Sequence, residues 1–430
     1  MKFACYTLGC KVNQYETQAM EQLLAGMGHE EVPPDGDFDC CIVNTCSVTA
    51  VADKKNRNII RRLRRLHPDA VLGVCGCYSQ VAAEEVRALG ADVISGSAGR
   101  EQFLQDLLQT LADRQHRERV DEALKRRRFE LLPAGGLAVR TRAMLKVQDG
   151  CNNFCTYCII PYTRGPVRSL PPQDAVAQAK LLAKEGYREI VVTGIEIASW
   201  GWDFKDGSRL TQLLDAILAA VPDTRVRLGS LEPRVIDAEF CELLKQYPNL
   251  CPHFHLSMQS GSDSVLRRMH RKYDTARYYE SVQLLQKHFP GCAVTTDMIV
   301  AFPGETEEEF AESLAFIRKC GFADMHIFPY SRRPGTPADK LPDQHGNAVK
   351  EARSATAIAA AAEMNLQFRE AMVGSVQTVL FEQKAGAYYT GHAMNSVRAY
   401  ASGKRLHNEI RRVRITGVYE DGLLSELIDD

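Results

Sequence analysis

Short apolar runs at 3–7, 40–44, 71–74 and 93–94 alternate with stretches at 14–27, 48–66, 80–89 and 101–111, where apolar residues recur at helical spacing. This alternation predicts an open parallel sheet with helices on its faces. It resumes beyond Ala143, with predicted strands at 144–147, 190–193, 225–228, 253–257, 294–300 and 325–328, most followed by amphipathic helical segments. Six βα units in ~225 residues predict a partial or complete α/β barrel. An Ala-rich helical run at 348–372 closes that region. After Gly374, short strands at 376–382, 388–394, 397–400, 410–418 and 423–428 alternate with Gly-containing turns, which predicts a small OB-like β-barrel. Between the first two regions, 113–136 is dense in charge and could continue a helix; it ends in Pro-Ala-Gly-Gly, and a linker is expected around 133–136. The fold class is therefore α/β with three expected domains: 1–135, 136–373 and 374–430.

Composition narrows the picture. The 430 residues carry a formal net charge of -1, so any nucleic-acid site must be a local basic patch. Fourteen cysteines in a chain this long point to thiols or metal sites rather than a disulfide framework. The N-terminus has no signal-peptide pattern, and no run of ~18 apolar residues predicts a membrane span. A cytoplasmic location is expected, with no membrane partner.

The densest chemistry is Cys151-Asn-Asn-Phe-Cys155-Thr-Tyr-Cys158, placed directly after the first strand of the expected barrel. Barrel active sites sit at that carboxyl end. Three soft thiolates in one loop can wrap an iron–sulfur cluster and leave one iron open. A structural zinc site normally takes four protein ligands, so zinc would need a distant His or Cys.

Three more cysteines follow strands. Cys10 comes after the first strand, Cys46 after the second and Cys77 after the third. Ligands of open parallel sheets bind beyond that edge, so these thiols are expected to converge on a second three-cysteine site. Cys75 falls inside the third strand, which favours Cys77. The remaining cysteines read as small buried hydrophobes.

These motifs resemble the radical S-adenosylmethionine (SAM) superfamily and, together, its methylthiotransferase family. The resemblance rests on residues 7–16, 44–46, 149–161, 256–263, 302–306 and 329–338 and covers nearly the whole chain. It implies two 4Fe-4S clusters, SAM as cofactor, a C-terminal TRAM domain that binds RNA, a sulfur donor, and a reducing partner such as flavodoxin or ferredoxin. It further implies that one SAM yields a 5′-deoxyadenosyl radical while a second methylates sulfur at the N-terminal site. Gly-Cys-Lys-Val-Asn at 9–13 resembles the branch that modifies C2 of N6-threonylcarbamoyladenosine in the tRNA anticodon stem-loop. The branches acting on isopentenyladenosine and on a ribosomal protein tend to read Gly-Cys-Gln-Met-Asn and Gly-Cys-Pro-Lys-Asn. Methylthiolation of isopentenyladenosine in tRNA or of a ribosomal protein side chain, and a noncatalytic zinc-containing RNA-binding protein, stand as alternatives.

By the same resemblance Tyr157 lies near the adenine of SAM. Gly194, Glu196, Ser230, Glu232, Ser257, Gln259 and Asp297, at or near strand ends, are candidate SAM or substrate contacts. Arg333 is a candidate near the reacting groups. Ala301 stands where the family often has Gly. Candidate RNA contacts are the cations of 54–65, those of 125–128, and the C-terminal set Arg398, Lys404, Arg405, Arg411, Arg412 and Arg414 with Tyr388, Tyr389 and Tyr400. The bland reading of each cluster is a solvated face.

Overall fold

Strands Lys2–Thr7, Cys40–Thr45, Val71–Gly76 and Val93–Ser95 pair in parallel in the computed structural model, which describes residues 1–135 and 141–428. Cys40–Thr45 and Val71–Gly76 are buried at every position, as a sheet covered on both faces requires. Alternate side chains go to opposite faces. Phe3, Cys40, Ile42, Val71 and Cys75 pack with Met20 and Leu24 of helix Lys11–Gly26 and with Phe103 and Leu107 of helix Arg100–Asp113. Ala4, Cys41, Val43, Leu72 and Val74 pack with Ile60 and Leu63 of helix Ala50–Leu66. That helix is capped by Thr49, which accepts from the Ala52 amide, and leaves Lys54, Lys55, Arg61, Arg62 and Arg65 exposed.

Two further strands complete this six-stranded sheet at its edges, Glu30–Glu31 and Arg117–Arg119. The second lies in the charged segment ahead of the expected linker, where no strand was expected. Arg119 pairs with Asp106 at 2.6 Å, and Arg126 is held by Asp121, Gln80 and Ser97. Short, charged strands suit sheet edges because they discourage pairing with other chains. Leu132 and Ala134 already belong to the core of the next unit. The Gly136 end of the expected linker lies outside the described residues.

The six central strands appear as expected: Arg142–Lys146, Glu189–Thr193, Arg225–Leu228, His253–Leu256, Ala293–Val300 and Asp324–Pro329, all parallel. Beyond Gly229 the third strand continues as Ser230–Leu231 and pairs with the fourth. The first and last strands do not pair, so the barrel is partial. Helix Lys11–Gly26 packs on the first strand, placing Tyr15 and Ala19 in the barrel core. Tyr15 donates to the Leu132 carbonyl at 2.7 Å. Helix Asn347–Glu370 lies along the last strand through Ala357, Ala360, Ala361 and Met364.

The C-terminal strands Val376–Ala385, Tyr388–Ala393, Arg398–Ala401, Ile410–Tyr419 and Gly422–Leu427 form a closed barrel around Val379, Phe381, Val413, Ile415 and Leu423. It docks on the amino ends of the central strands. Arg142 pairs with Glu382 at 2.7 Å, Arg225 donates to the Thr378 carbonyl at 2.9 Å, and Arg227 donates to the Met394 carbonyl at 3.1 Å. Among the described residues no helix is long and apolar enough to cross a membrane.

Candidate active site

The loop after the first central strand carries Cys151, Cys155 and Cys158. Its path is fixed by backbone bonds from Cys151 to Gly165, from Thr156 to Met269 and from Cys158 to Cys155. The three cysteines line one pocket with Tyr157, Glu196, Ser230, Glu232, Ser257 and Gln259. Gly194 sits beside it against Gln148, whose side-chain oxygen accepts from the Glu196 amide at 2.8 Å. Tyr157 packs edge-on against Phe302.

The strand-end reading missed Arg271, which also lines this pocket. It donates to Cys155 Sγ at 3.3 Å and to the Ser257 carbonyl at 3.1 Å. Nothing in Arg271-Lys-Tyr distinguishes it from a surface Arg. Glu196 is the pocket's unsatisfied group. Oε1 accepts from the Ala198 amide, while Oε2 is buried without a partner. Burial, and then the neighbouring Glu232 carboxylate, push Glu196 up to about 7. An acidic pair with one orphaned oxygen suits a cationic ligand.

The second triad forms because three parallel strands end level. Thr7 pairs with Asn44, and Thr45 with Gly76, so the turns carrying Cys10, Cys46 and Cys77 lie side by side. Two glycines permit the close approach. Gly9 has φ +106°, and a Cβ there would lie 2.7 Å from Cys46 Cβ. Gly76 has φ +109°, and its Cβ would meet the Thr45 carbonyl at 2.4 Å. Asn13 laces the turns together, donating to the carbonyls of Leu8 at 2.8 Å and Thr45 at 2.9 Å. Cys10 stands at the N-cap position of helix Lys11–Gly26 without a side-chain capping bond, and burial pushes its thiol above the ordinary range. Cys75 points into the sheet core, as expected. Cys77 is an electrostatic neighbour of Cys10, of Cys46 and also of Cys158, so the triads adjoin.

In neither triad do all three sulfurs lie within 4.8 Å of one another. One zinc ion with bonds of about 2.3 Å would draw its sulfurs to about 3.8 Å. The wider spread fits a cluster of several irons. Burial pushes the Cys46 and Cys158 thiols up to about 12, so metal loading must release protons.

A buried ion network joins the two sites. Glu16 accepts from Arg100 at 2.9 Å, from Lys146 at 3.1 Å and from Arg164 at 2.6 Å. Asp149 takes Lys146 at 2.8 Å, Arg164 at 3.4 Å and Arg168 at 3.3 Å. Arg164 also donates to Asn13 at 2.7 Å. Burial raises the Glu16 pKa, but Arg164, Arg100 and Lys146 outweigh it and hold the carboxyl below the usual range. Four buried cations thus face two buried carboxylates, with the less buried Glu130 and Asp121 near Arg100 and Arg168, and Arg164 is an electrostatic neighbour of Cys77. The surplus positive charge suits an anionic group at the triads.

The other candidates disperse. Arg333 is buried. It pairs with Asp53 at 2.6 Å and donates to Ser47 at 2.5 Å, one residue past Cys46. Asp297 lies outside the pocket and bonds His255 and His326. Arg398 pairs with Asp421 at 2.6 Å, whereas Lys404, Arg405, Arg411 and Arg412 are exposed. Tyr388, Tyr400 and Tyr419 stack edge-on beside them.

A strand-end thiol triad on a parallel sheet, beside a second triad at the carboxyl end of a six-stranded partial barrel, defines the class as a radical SAM protein with an added cysteine site. Residues 145–317 match the Radical SAM superfamily, and 2–96 match the Uncharacterized protein family UPF0004. The structure of the radical SAM methyltransferase TsrM from Kitasatospora setae, with cobalamin and a 4Fe-4S cluster bound, shares the fold. Its TM-score is 0.58, with 14% identity, over 90% of this chain and 77% of that one. Threonylcarbamoyladenosine tRNA methylthiotransferase MtaB of Bacillus subtilis (strain 168) is 38% identical over 99% of this chain and 97% of that protein. A tRNA-2-methylthio-N(6)-dimethylallyladenosine synthase of Pelotomaculum thermopropionicum is 30% identical over 97% and 95%. The chain belongs to the methylthiotransferase family of radical SAM enzymes.

Proposed function

We propose that this enzyme adds a methylthio group to C2 of N6-threonylcarbamoyladenosine beside the anticodon of tRNA. The observation that carries the reading is the adjacency of two three-thiol sites in a chain similar along its length to an enzyme of that name. Cys151, Cys155 and Cys158 would hold one 4Fe-4S cluster, and Cys10, Cys46 and Cys77 the other. Such clusters with SAM supply radical chemistry and a place to carry sulfur.

The protein's own groups orient and balance the charge. Glu196 and Glu232 receive the cationic part of SAM. Tyr157 flanks its adenine, Ser230, Ser257 and Gln259 offer hydrogen bonds, and Gly194 leaves room at the strand end. Arg271 holds the Cys155 sulfur and screens its charge. Arg333 positions the Cys46 turn through Ser47 and Asp53. Lys404, Arg405, Arg411 and Arg412, with Arg398 beside them, and the cations of helix Ala50–Leu66 contact RNA phosphates. Residues 374–430 act as a TRAM-type RNA-binding domain beside the catalytic domains 1–135 and 136–373. The enzyme works in the cytoplasm with a reducing partner such as flavodoxin or ferredoxin and a separate sulfur donor.

Gene deletion followed by nucleoside mass spectrometry of tRNA tests the reading. The methylthiolated threonylcarbamoyl nucleoside should disappear, return with the wild-type gene and stay absent with Cys10→Ala. Return of the nucleoside with the Cys10→Ala gene contradicts it.

A further inference from the structure

The lumen of the partial barrel carries a charge imbalance. Away from the Glu196 pocket, three acids in or facing it are already matched. Glu189 pairs with Arg227 at 2.7 Å and Glu382 with Arg142 at 2.7 Å. Asp297 accepts from His255 at 3.3 Å and His326 at 3.2 Å. Lys11 is the exception. It directly follows Cys10, heads helix Lys11–Gly26, and has Arg227, Arg142, Glu189, His253 and His326 as electrostatic neighbours. Among the described residues Lys11 makes no hydrogen bond or ion pair, and its side chain is open to solvent.

His326 borders the same space. Asp297 holds its Nδ1, which leaves Nε2 free. On the same wall His253 Nδ1 is buried without a partner. His255, Asp297 and His326 come within 4.8 Å of one another, but the Lys11 ammonium disfavours a cation there. Lys11, which has no ion pair of its own, and the His326 ring, near which Asp324 is the other acid, call for an anionic ligand group.

We propose that Lys11 and His326 form a carboxylate subsite for the threonylcarbamoyl side chain of the substrate adenosine, with Asp297 positioning His326. This rests on the tRNA reading above. The threonylcarbamoyl group ends in a threonine carboxylate, whereas a dimethylallyl group offers only carbon. The subsite therefore selects between the two nucleosides by charge, and His253 adds a polar contact for the hydroxyl or urea.

Binding of synthetic anticodon stem-loops to the anaerobically reconstituted holoenzyme tests this. One RNA carries threonylcarbamoyladenosine, and a second carries the same group with its carboxylate converted to a primary amide. The wild type should bind the acid about tenfold tighter than the amide. Lys11→Gln should bring that ratio close to one, Lys11→Arg should restore most of it, and iron content should match the wild type. His326→Gln, which touches neither triad, should lower the ratio part of the way. An unchanged ratio in both Lys11→Gln and His326→Gln overturns the subsite, as does a wild type blind to the amide. Methylthiolation of the acid RNA by the wild type is scored separately. Its absence removes the substrate reading, while its presence with unchanged ratios removes the subsite alone.

Discussion

Cys151, Cys155 and Cys158 lie within eight consecutive residues, whereas Cys10, Cys46 and Cys77 span 68 and meet only because three parallel strands end level. The first site is written into one loop. The second is written into a sheet register, two left-handed glycines and the side chain of Asn13. The difference teaches where metal binding and folding are coupled. A change anywhere along the ends of Lys2–Thr7, Cys40–Thr45 or Val71–Gly76 moves a cysteine of the N-terminal triad. The central loop needs only its own path and the pocket around it.

Cysteine replacement breaks the comparison most severely. Cys151→Ala and Cys10→Ala should each reduce methylthiolation to background. Each should also lower iron from roughly eight to roughly four per chain, as the proposal of one cluster per triad requires. Electron paramagnetic resonance of the two reduced variants should then give two distinct spectra. One shared cluster would instead cost both variants all their iron.

Glu16→Gln comes next. It leaves Arg100, Lys146 and Arg164 buried around a neutral group, a loss of about 3–5 kcal/mol. Chemical denaturation of the apoprotein measures it, and a loss below 1 kcal/mol would remove the network as the joint between the sites. Gly76→Ala forces a left-handed residue against the Thr45 carbonyl and should cost about 2–3 kcal/mol. It should also deplete iron at the N-terminal site while the central spectrum persists. Ala301→Gly is the smallest effect and the opposite in sign. Ala301 is buried at φ +56°, just before the Phe302 that packs on Tyr157. Glycine should relieve about 1 kcal/mol of left-handed strain, read as a higher melting temperature.

Both triads were legible in the sequence, for different reasons. Cys151–Cys158 shows a ligand spacing, and the N-terminal three show a shared position after predicted strands. The six central strands and the C-terminal barrel followed from apolar periodicity. What periodicity concealed was charge turned inward. Glu16, Lys146, Arg164 and Arg100 are fully buried, yet each reads as an ordinary polar position because its partner lies far away in sequence. The Arg117–Arg119 edge strand was hidden for the same reason, since edge strands carry charge rather than apolar alternation. Arg333 was named only through the family resemblance, because its partners Asp53 and Ser47 lie some 280 residues earlier in the chain. Arg271 gave no local signal because its importance lies in what it faces, and Lys11 entered only as part of the Gly-Cys-Lys-Val-Asn motif.

The most direct measurement is mass spectrometry of nucleosides from tRNA bearing N6-threonylcarbamoyladenosine, after incubation with the reconstituted enzyme, SAM, a reductant and a sulfur source. The two-site account predicts a methylthio group on C2 of that adenosine, made by the wild type and by neither Cys10→Ala nor Cys151→Ala. A wild type that cleaves SAM yet leaves the nucleoside free of sulfur, or a Cys10→Ala enzyme that still inserts it, would contradict the account.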